Sequence, residues 1–172
     1  GCSRRDKPVP WEASTVSRAK THLRGAVVAF AVLLFLPAVQ ADETHGTAEE
    51  AQFMVEQAIG YFDKAGAEAA FAKFNTDPAP SFADRDLYVF VVDDDGIAVA
   101  HAADPSQVGL DVAGLKDVDG KMFGQEILDM ATPQGAWVDY KWKDPETGNI
   151  EPKSSWVVSH EGYIFGVGIY QP

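Results

Sequence analysis

Apolar residues recur at helical spacing from position 51 onward: Ala51, Val55, Ala58, Ile59 and Phe62 form one stripe. Thr47-Ala-Glu-Glu50 just ahead of them is a capping-box pattern, so a long helix is expected to start there. Gly66 breaks the run. Ala69, Ala70, Phe71 and Phe74 then predict a second short helix, which Asp77-Pro78-Ala-Pro80 stops. The two helices make an N-terminal arm with one apolar face. That face is expected to pack on the domain's own sheet, with a homodimer seam as the alternative.

From Leu87 the pattern changes to β-branched and aromatic residues. Leu87-Tyr-Val-Phe-Val-Val92, the turn Asp93-Asp-Asp-Gly96 and Ile97-Ala-Val-Ala-His101 predict a β-hairpin. A loop rich in Asp, Gly and Pro follows to Gly120, and Phe123, Ile127 and Met130 suggest one short helix. Three further strands are expected at Ala136–Trp142, Ser154–Ser159 and Tyr163–Tyr170. Asp144-Pro-Glu-Thr-Gly148 and His160-Glu-Gly162 are the turns between them, and turns this short join antiparallel neighbours. The predicted fold class is α+β: a PAS-like five-stranded antiparallel sheet with a long N-terminal helix.

The first 41 residues read differently. Arg18, Lys20 and Arg24 precede the apolar run Ala26–Leu36, and Pro37-Ala-Val-Gln-Ala41 then offers small residues three and one positions before Asp42. This is the layout of an export signal cleaved near Ala41. A retained membrane anchor is the competing reading. The apolar stretch of about 14 residues is short against the roughly 20 that span a bilayer. Residues 1–41 are therefore read as signal peptide and leader, and 42–172 as one domain. The chain opens at Gly1 without Met, and translation is expected to start nearer Val16. Cys2 is the only cysteine and lies upstream of the apolar run, so neither a lipid anchor nor a disulfide frame is expected.

Charge sharpens the division. Residues 1–41 carry a net +4 and residues 42–172 a net −16, within a whole-chain charge of −12. A body this acidic is a poor partner for nucleic acid, because phosphate binding needs clustered cations.

The string Leu87–His101 resembles the opening of a single Cache domain of type 2: an aromatic strand, a D-x-x-G turn and a strand ending in His. Further matches follow in order. They are Asp104-Pro105 with Gly109, Lys116–Lys121, Gly135–Trp142, Lys153, and the closing Gly166-Val-Gly-Ile-Tyr170. The resemblance spans residues 47–170. It implies a PAS-like extracellular sensor that binds a small organic acid or amino acid and serves a membrane-bound receptor or kinase. The sequence given ends two residues after Tyr170, so the reading expects no output module of its own.

Candidate site residues follow from that implication. Lys153 is read as the cation that pairs a ligand carboxylate or anchors the ligand loop, against a plain surface lysine. His101, at a strand end, donates to a carboxylate or bonds loop backbone. Tyr88, Trp137, Tyr140 and Trp142 supply rings with a polar tip, with core packing as the competing role for each. Strand alternation puts Trp137 and Tyr140 on opposite faces unless the strand is bulged. Lys116, with Arg85 and Lys121, is a further candidate cation. Arg85, Lys116, Lys121 and Lys153 together decide: if they do not converge, a neutral or cationic ligand such as an amine or amino acid is favoured, with Asp117 or Asp139 as acceptors.

Other chemistry finds little support. Asp117, Asp119, Gly120 and Glu126 overlay part of an EF-hand loop, but Leu115 stands where the first ligand belongs. His45, His101 and His160 are scattered without an i, i+4 pair, so no metal is expected. No cofactor fingerprint and no nucleophile elbow is present. An enzyme is therefore not expected. An interaction subunit with a vestigial pocket is the alternative to a binding domain.

Overall fold

The computed structural model describes residues 45–78 and 80–171. The leader, its cleavage point and Cys2 lie outside the described residues.

Helix α1 spans Ala48–Ala65. The Thr47 side chain accepts from the Glu50 backbone N–H and the Glu50 carboxylate accepts from the Thr47 N–H, so the capping box is formed. Gly66 ends α1 and α2 runs Ala67–Thr76. Then come β1 Ala83–Asp84, β2 Leu87–Asp93, β3 Ala98–His101, α3 Phe123–Met130, β4 Ala136–Lys143, β5 Ile150–His160 and β6 Tyr163–Tyr170. The path β1-β2-β6-β5-β4 is antiparallel throughout, and β3 pairs with β2 on the side away from β6.

The sheet sorts its residues by parity. Leu87, Val89 and Val91 of β2, with Phe165 and Val167 of β6, face the helical arm and join Ala51, Val55, Ala58, Phe62, Ala70 and Phe74 in one core. The arm thus packs on its own sheet. Phe90, Val138, Tyr140, Val157 and Ile164 face the other way, toward α3 and the crossover loop, whose Leu115, Phe123 and Ile127 cover them.

Three features go beyond the sequence reading. The short β1 adds a sixth strand. Strand β5 starts at Ile150, four residues before the expected Ser154, and runs through Pro152. That proline pairs with Lys141 of β4, while β6 reaches only to Lys153. The Pro152 carbonyl still accepts from the Gln171 N–H (2.9 Å) just past the end of β6, so the missing N–H falls where the β5–β6 ladder runs out and a proline is tolerated. Finally, β3 carries a bulge: Phe90, Val91 and Val92 face His101, Ala100 and Ala98, which leaves Val99 over. Asn75 of α2 covers the irregular backbone, donating to the Val99 carbonyl (3.2 Å) and accepting from the His101 N–H (2.9 Å).

Candidate ligand pocket

The bulge decides what faces the crossover loop. Without it Ala98 and His101 would point to opposite faces; with the extra Val99 both line one cavity. Phe90, Val92, Val112, Leu115, Phe123, Ile127 and Tyr140 complete its apolar inner chamber, of ≈ 50 Å³. It opens past Tyr88, His101, Gln107 and Trp142 into an outer cleft of ≈ 360 Å³, where Asp104, Lys143 and Pro145 form the rim. Phe123 stacks on Tyr140 with ring centroids 4.2 Å apart and planes 5° from parallel, closing the inner end.

Lys153 lies behind this throat. It is 2% exposed, so the surface-lysine reading is set aside. The pairing of β5 with β6 sets Lys153 opposite Tyr170 and Ser155 opposite Gly168. A Cβ at Gly168 would stand 2.0 Å from the Lys153 Cε and 2.6 Å from the Ser155 Oγ. Glycine there leaves a trough in which the lysine stem crosses β6 toward β2. Its Nζ donates to the Tyr88 hydroxyl, lies 3.9 Å from the Tyr88 ring centroid, and donates to the Tyr170 hydroxyl at 3.3 Å.

The protons can be assigned. The Tyr170 hydroxyl donates to the Lys143 carbonyl at 2.7 Å, so it accepts from its other neighbours. The Tyr88 hydroxyl, 3.2 Å away, accepts from Lys153 and keeps its own proton to give. Burial pushes the hydroxyls of Tyr88, Tyr140 and Tyr170 above the ordinary tyrosine value, so all three remain protonated. Burial pulls the Lys153 ammonium down to about 7, opposed by the fields of Asp86 and Asp144. His101 is pulled down to about 4, first by burial and then by Lys153, and is neutral at physiological pH. Its Nδ1 accepts from the Asp104 N–H at 3.0 Å, which places the ring proton on Nε2 as a donor. The throat thus holds two donors, Tyr88 and His101, with a buried cation behind.

The sequence candidates separate cleanly. Tyr88, His101 and Trp142 line both chambers, and Tyr140 lines the inner one, bonded through its hydroxyl to Ser155 Oγ at 2.8 Å. Trp137 is on the opposite face of β4, its ring 5.3 Å from Trp156, and lines neither chamber. Strand β4 pairs with β5 in unbroken register, so the alternation rule holds there. Lys116 is exposed on the crossover loop, away from both chambers. The cations do not converge: Arg85 pairs with Glu50 and Asp84, and Lys121 pairs with Glu126. Nor do the candidate acids turn inward. Asp117 accepts from the N–H groups of Asp119 and Lys121, closing its own loop, and Asp139 accepts from Ser154.

Sequence reading missed Tyr170, Gly168, Asp86 and Asp144. Alternation along Gly166-Val-Gly-Ile-Tyr170 was the available signal for the first two, since it sets both glycines and the tyrosine on one face. Asp86 and Asp144 are fully buried. Asp86 sits in the β1–β2 turn, its carboxyl pushed up by burial, and accepts from the Gly46 N–H at 2.7 Å. Nothing in a lone aspartate at a turn announces burial.

A family model for single Cache domain 2 matches residues 27–171. The sensor histidine kinase MctS of Rhizobium johnstonii is 34% identical over 113 residues, 63% of this chain and 24% of that protein. The methyl-accepting chemotaxis protein McpP of Pseudomonas putida is 28% identical over 164 residues, 84% of this chain and 30% of that protein. The chain spans 24% and 30% of the length of these two curated relatives. Among solved structures, a methyl-accepting chemotaxis protein from Vibrio parahaemolyticus superposes with a TM-score of 0.59 at 21% identity, over 71% of this chain and 86% of that one. A Cache chemosensory domain, described for its recognition of carboxylic acid, gives 0.57 at 22% identity, over 72% and 92%. At these identities the likeness shows the shared PAS-like fold. Among the described residues no helix is long and apolar enough to cross a membrane.

Proposed function

The chain belongs to the single Cache domain 2 family, and from that premise we propose that it is an exported sensor domain whose ligand is a small carboxylate. Cache sensor domains of chemoreceptors and sensor kinases bind small ligands; the acid is the further step. The observation that carries it is the throat, where Tyr88 and His101 donate with the Lys153 cation directly behind. A carboxylate that accepts from Tyr88 hydroxyl and His101 Nε2 leaves Lys153, with three protons, to supply Tyr170. Every polar group at the throat then keeps a partner.

An acidic body of this size should repel anions, but charge beyond roughly 8 Å is screened at physiological salt. Among the described residues Asp104 is the one acid on the rim; Ser106 and Gln107 hold its oxygens and keep it ionised, so the attraction must come from Lys153 and the neutral donors. The inner chamber of ≈ 50 Å³ sets the tail. A chamber this small and apolar favours short aliphatic acids. A membrane-bound receptor or kinase is the proposed recipient of the signal, released into the periplasm or tethered there.

A thermal-shift screen of carboxylates, amino acids and amines tests this. Saturation at a hundred times Kd adds about 2.7 kcal/mol. A short acid should raise the melting temperature of the protein and fail to do so in folded Lys153→Met. A response to amines alone, or to none of the three classes, would contradict the reading and leave an interaction subunit.

A further inference from the structure

The turn between β4 and β5 brings together three side chains that line neither chamber of the pocket. His45, just ahead of α1, Asp144, at the end of β4, and Glu151, near the start of β5, each offer one ligand atom, all within 4.8 Å of one another. We propose that these residues bind a divalent transition-metal ion of zinc type, which ties the β4–β5 turn to the chain entering α1.

Three observations support it. First, Asp144 is fully buried; Oδ1 accepts from the Glu146 N–H at 2.8 Å, whereas Oδ2 is buried with no hydrogen-bond partner. A carboxylate oxygen in that position is costly unless an ion or donor meets it. Second, His45 Nε2 lies 3.5 Å from that oxygen. Tetrahedral zinc with ligands at about 2.0–2.1 Å sets them roughly 3.3 Å apart, so the gap matches the edge of a coordination tetrahedron better than a hydrogen bond. Third, imidazole with two carboxylates is a donor set for zinc rather than for calcium, which takes oxygens alone.

A second group makes the contrast. Asp63, His160 and Glu161 also lie within range, but His160 Nε2 is already 2.7 Å from Asp63 Oδ1, a hydrogen-bond distance, and the pair is open to solvent. Nothing buried there lacks a partner, so that group is read as a surface ion pair. The spacing of histidines along the chain could not reveal the first group, because its ligands come from positions about a hundred residues apart.

The test is a calorimetric titration of the chelator-stripped full chain with zinc chloride, with cobalt(II) absorption as a second readout. One equivalent of zinc should bind, and cobalt should give the intense visible bands of a low-coordinate site. Glu151→Gln, on the partly exposed rim, should weaken zinc at least tenfold, as should His45→Gln, while His160→Gln leaves it unchanged. Absence of a stoichiometric site would overturn the assignment, and so would a site lost in His160→Gln but kept in Glu151→Gln. None of the three side chains lines either chamber, although the Asp144 field reaches Lys153; zinc stoichiometry is read without any acid present, so a failed carboxylate screen does not decide this result.

Discussion

Raising the pH from 6 to 9 should weaken acid binding in a way that reads out Lys153. Its ammonium sits at about 7 in the free domain. A bound carboxylate at the Tyr88 hydroxyl would stand about 5 Å from Nζ, and at an effective dielectric near 20 that attraction is roughly 3 kcal/mol. At 1.36 kcal/mol per unit, the ligand lifts the lysine by about two pK units. The sign then follows. Below about pH 7 the cation is present in both states and affinity is level. Between about 7 and 9 the free domain must take up a proton to bind, so affinity falls about tenfold per pH unit, by somewhat over a hundredfold in all. Above that window neither state is charged, and affinity levels again. His101, at about 4, does not titrate in this range, and neither do the buried tyrosines. Calorimetry at pH 6, 7, 8 and 9 in buffers of different ionisation enthalpy measures both the fall and the proton uptake. An affinity that stays flat across that range, or that rises with pH, refutes the role given to the buried cation.

Other substitutions separate the parts of the structure. Gly168→Ala puts a methyl group 2.0 Å from Lys153 Cε; overpacking should cost about 1–3 kcal/mol in urea unfolding and weaken acid binding. Ala98→Leu fills the inner chamber, so acids of four or more carbons should lose at least tenfold in affinity while acetate loses much less, as competition calorimetry would show. Thr47→Ala removes the cap of α1 and should lower stability by about 1 kcal/mol, a melting shift of a few degrees, without changing affinity.

Much of this architecture was readable from the chain because local signals and burial agree. Thr47-Ala-Glu-Glu50 specifies the start of α1, Gly66 its end, and the Asp93–Gly96 turn the first hairpin, each through nearest-neighbour chemistry. The departures are set by tertiary context. Pro152 reads as a breaker, yet it sits where the β5–β6 ladder ends, its carbonyl still accepting from the Gln171 N–H. The bulge at Val99 is supported by Asn75 of a distant helix. At the site, alternation correctly divided Trp137 from Tyr140, but it could not rank the lysines. Lys116 and Lys153 look alike in sequence, and only the glycine trough at position 168, on the neighbouring strand β6, buries the second. The partners of Lys153, the Tyr88 and Tyr170 hydroxyls, come from β2 and from the last residue of β6. No short motif could assemble them.

We propose that a carboxylate is held at the throat by Tyr88 and His101, with Lys153 behind them. A crystal structure of the protein with the strongest acid from the screen tests it most directly. Carboxylate oxygens should lie within hydrogen-bond distance of the Tyr88 hydroxyl and His101 Nε2, with the carbon chain directed at Ile127 and Tyr140. An acid bound with its carboxylate on the outer rim, or anywhere away from Tyr88 and Lys153, would contradict it.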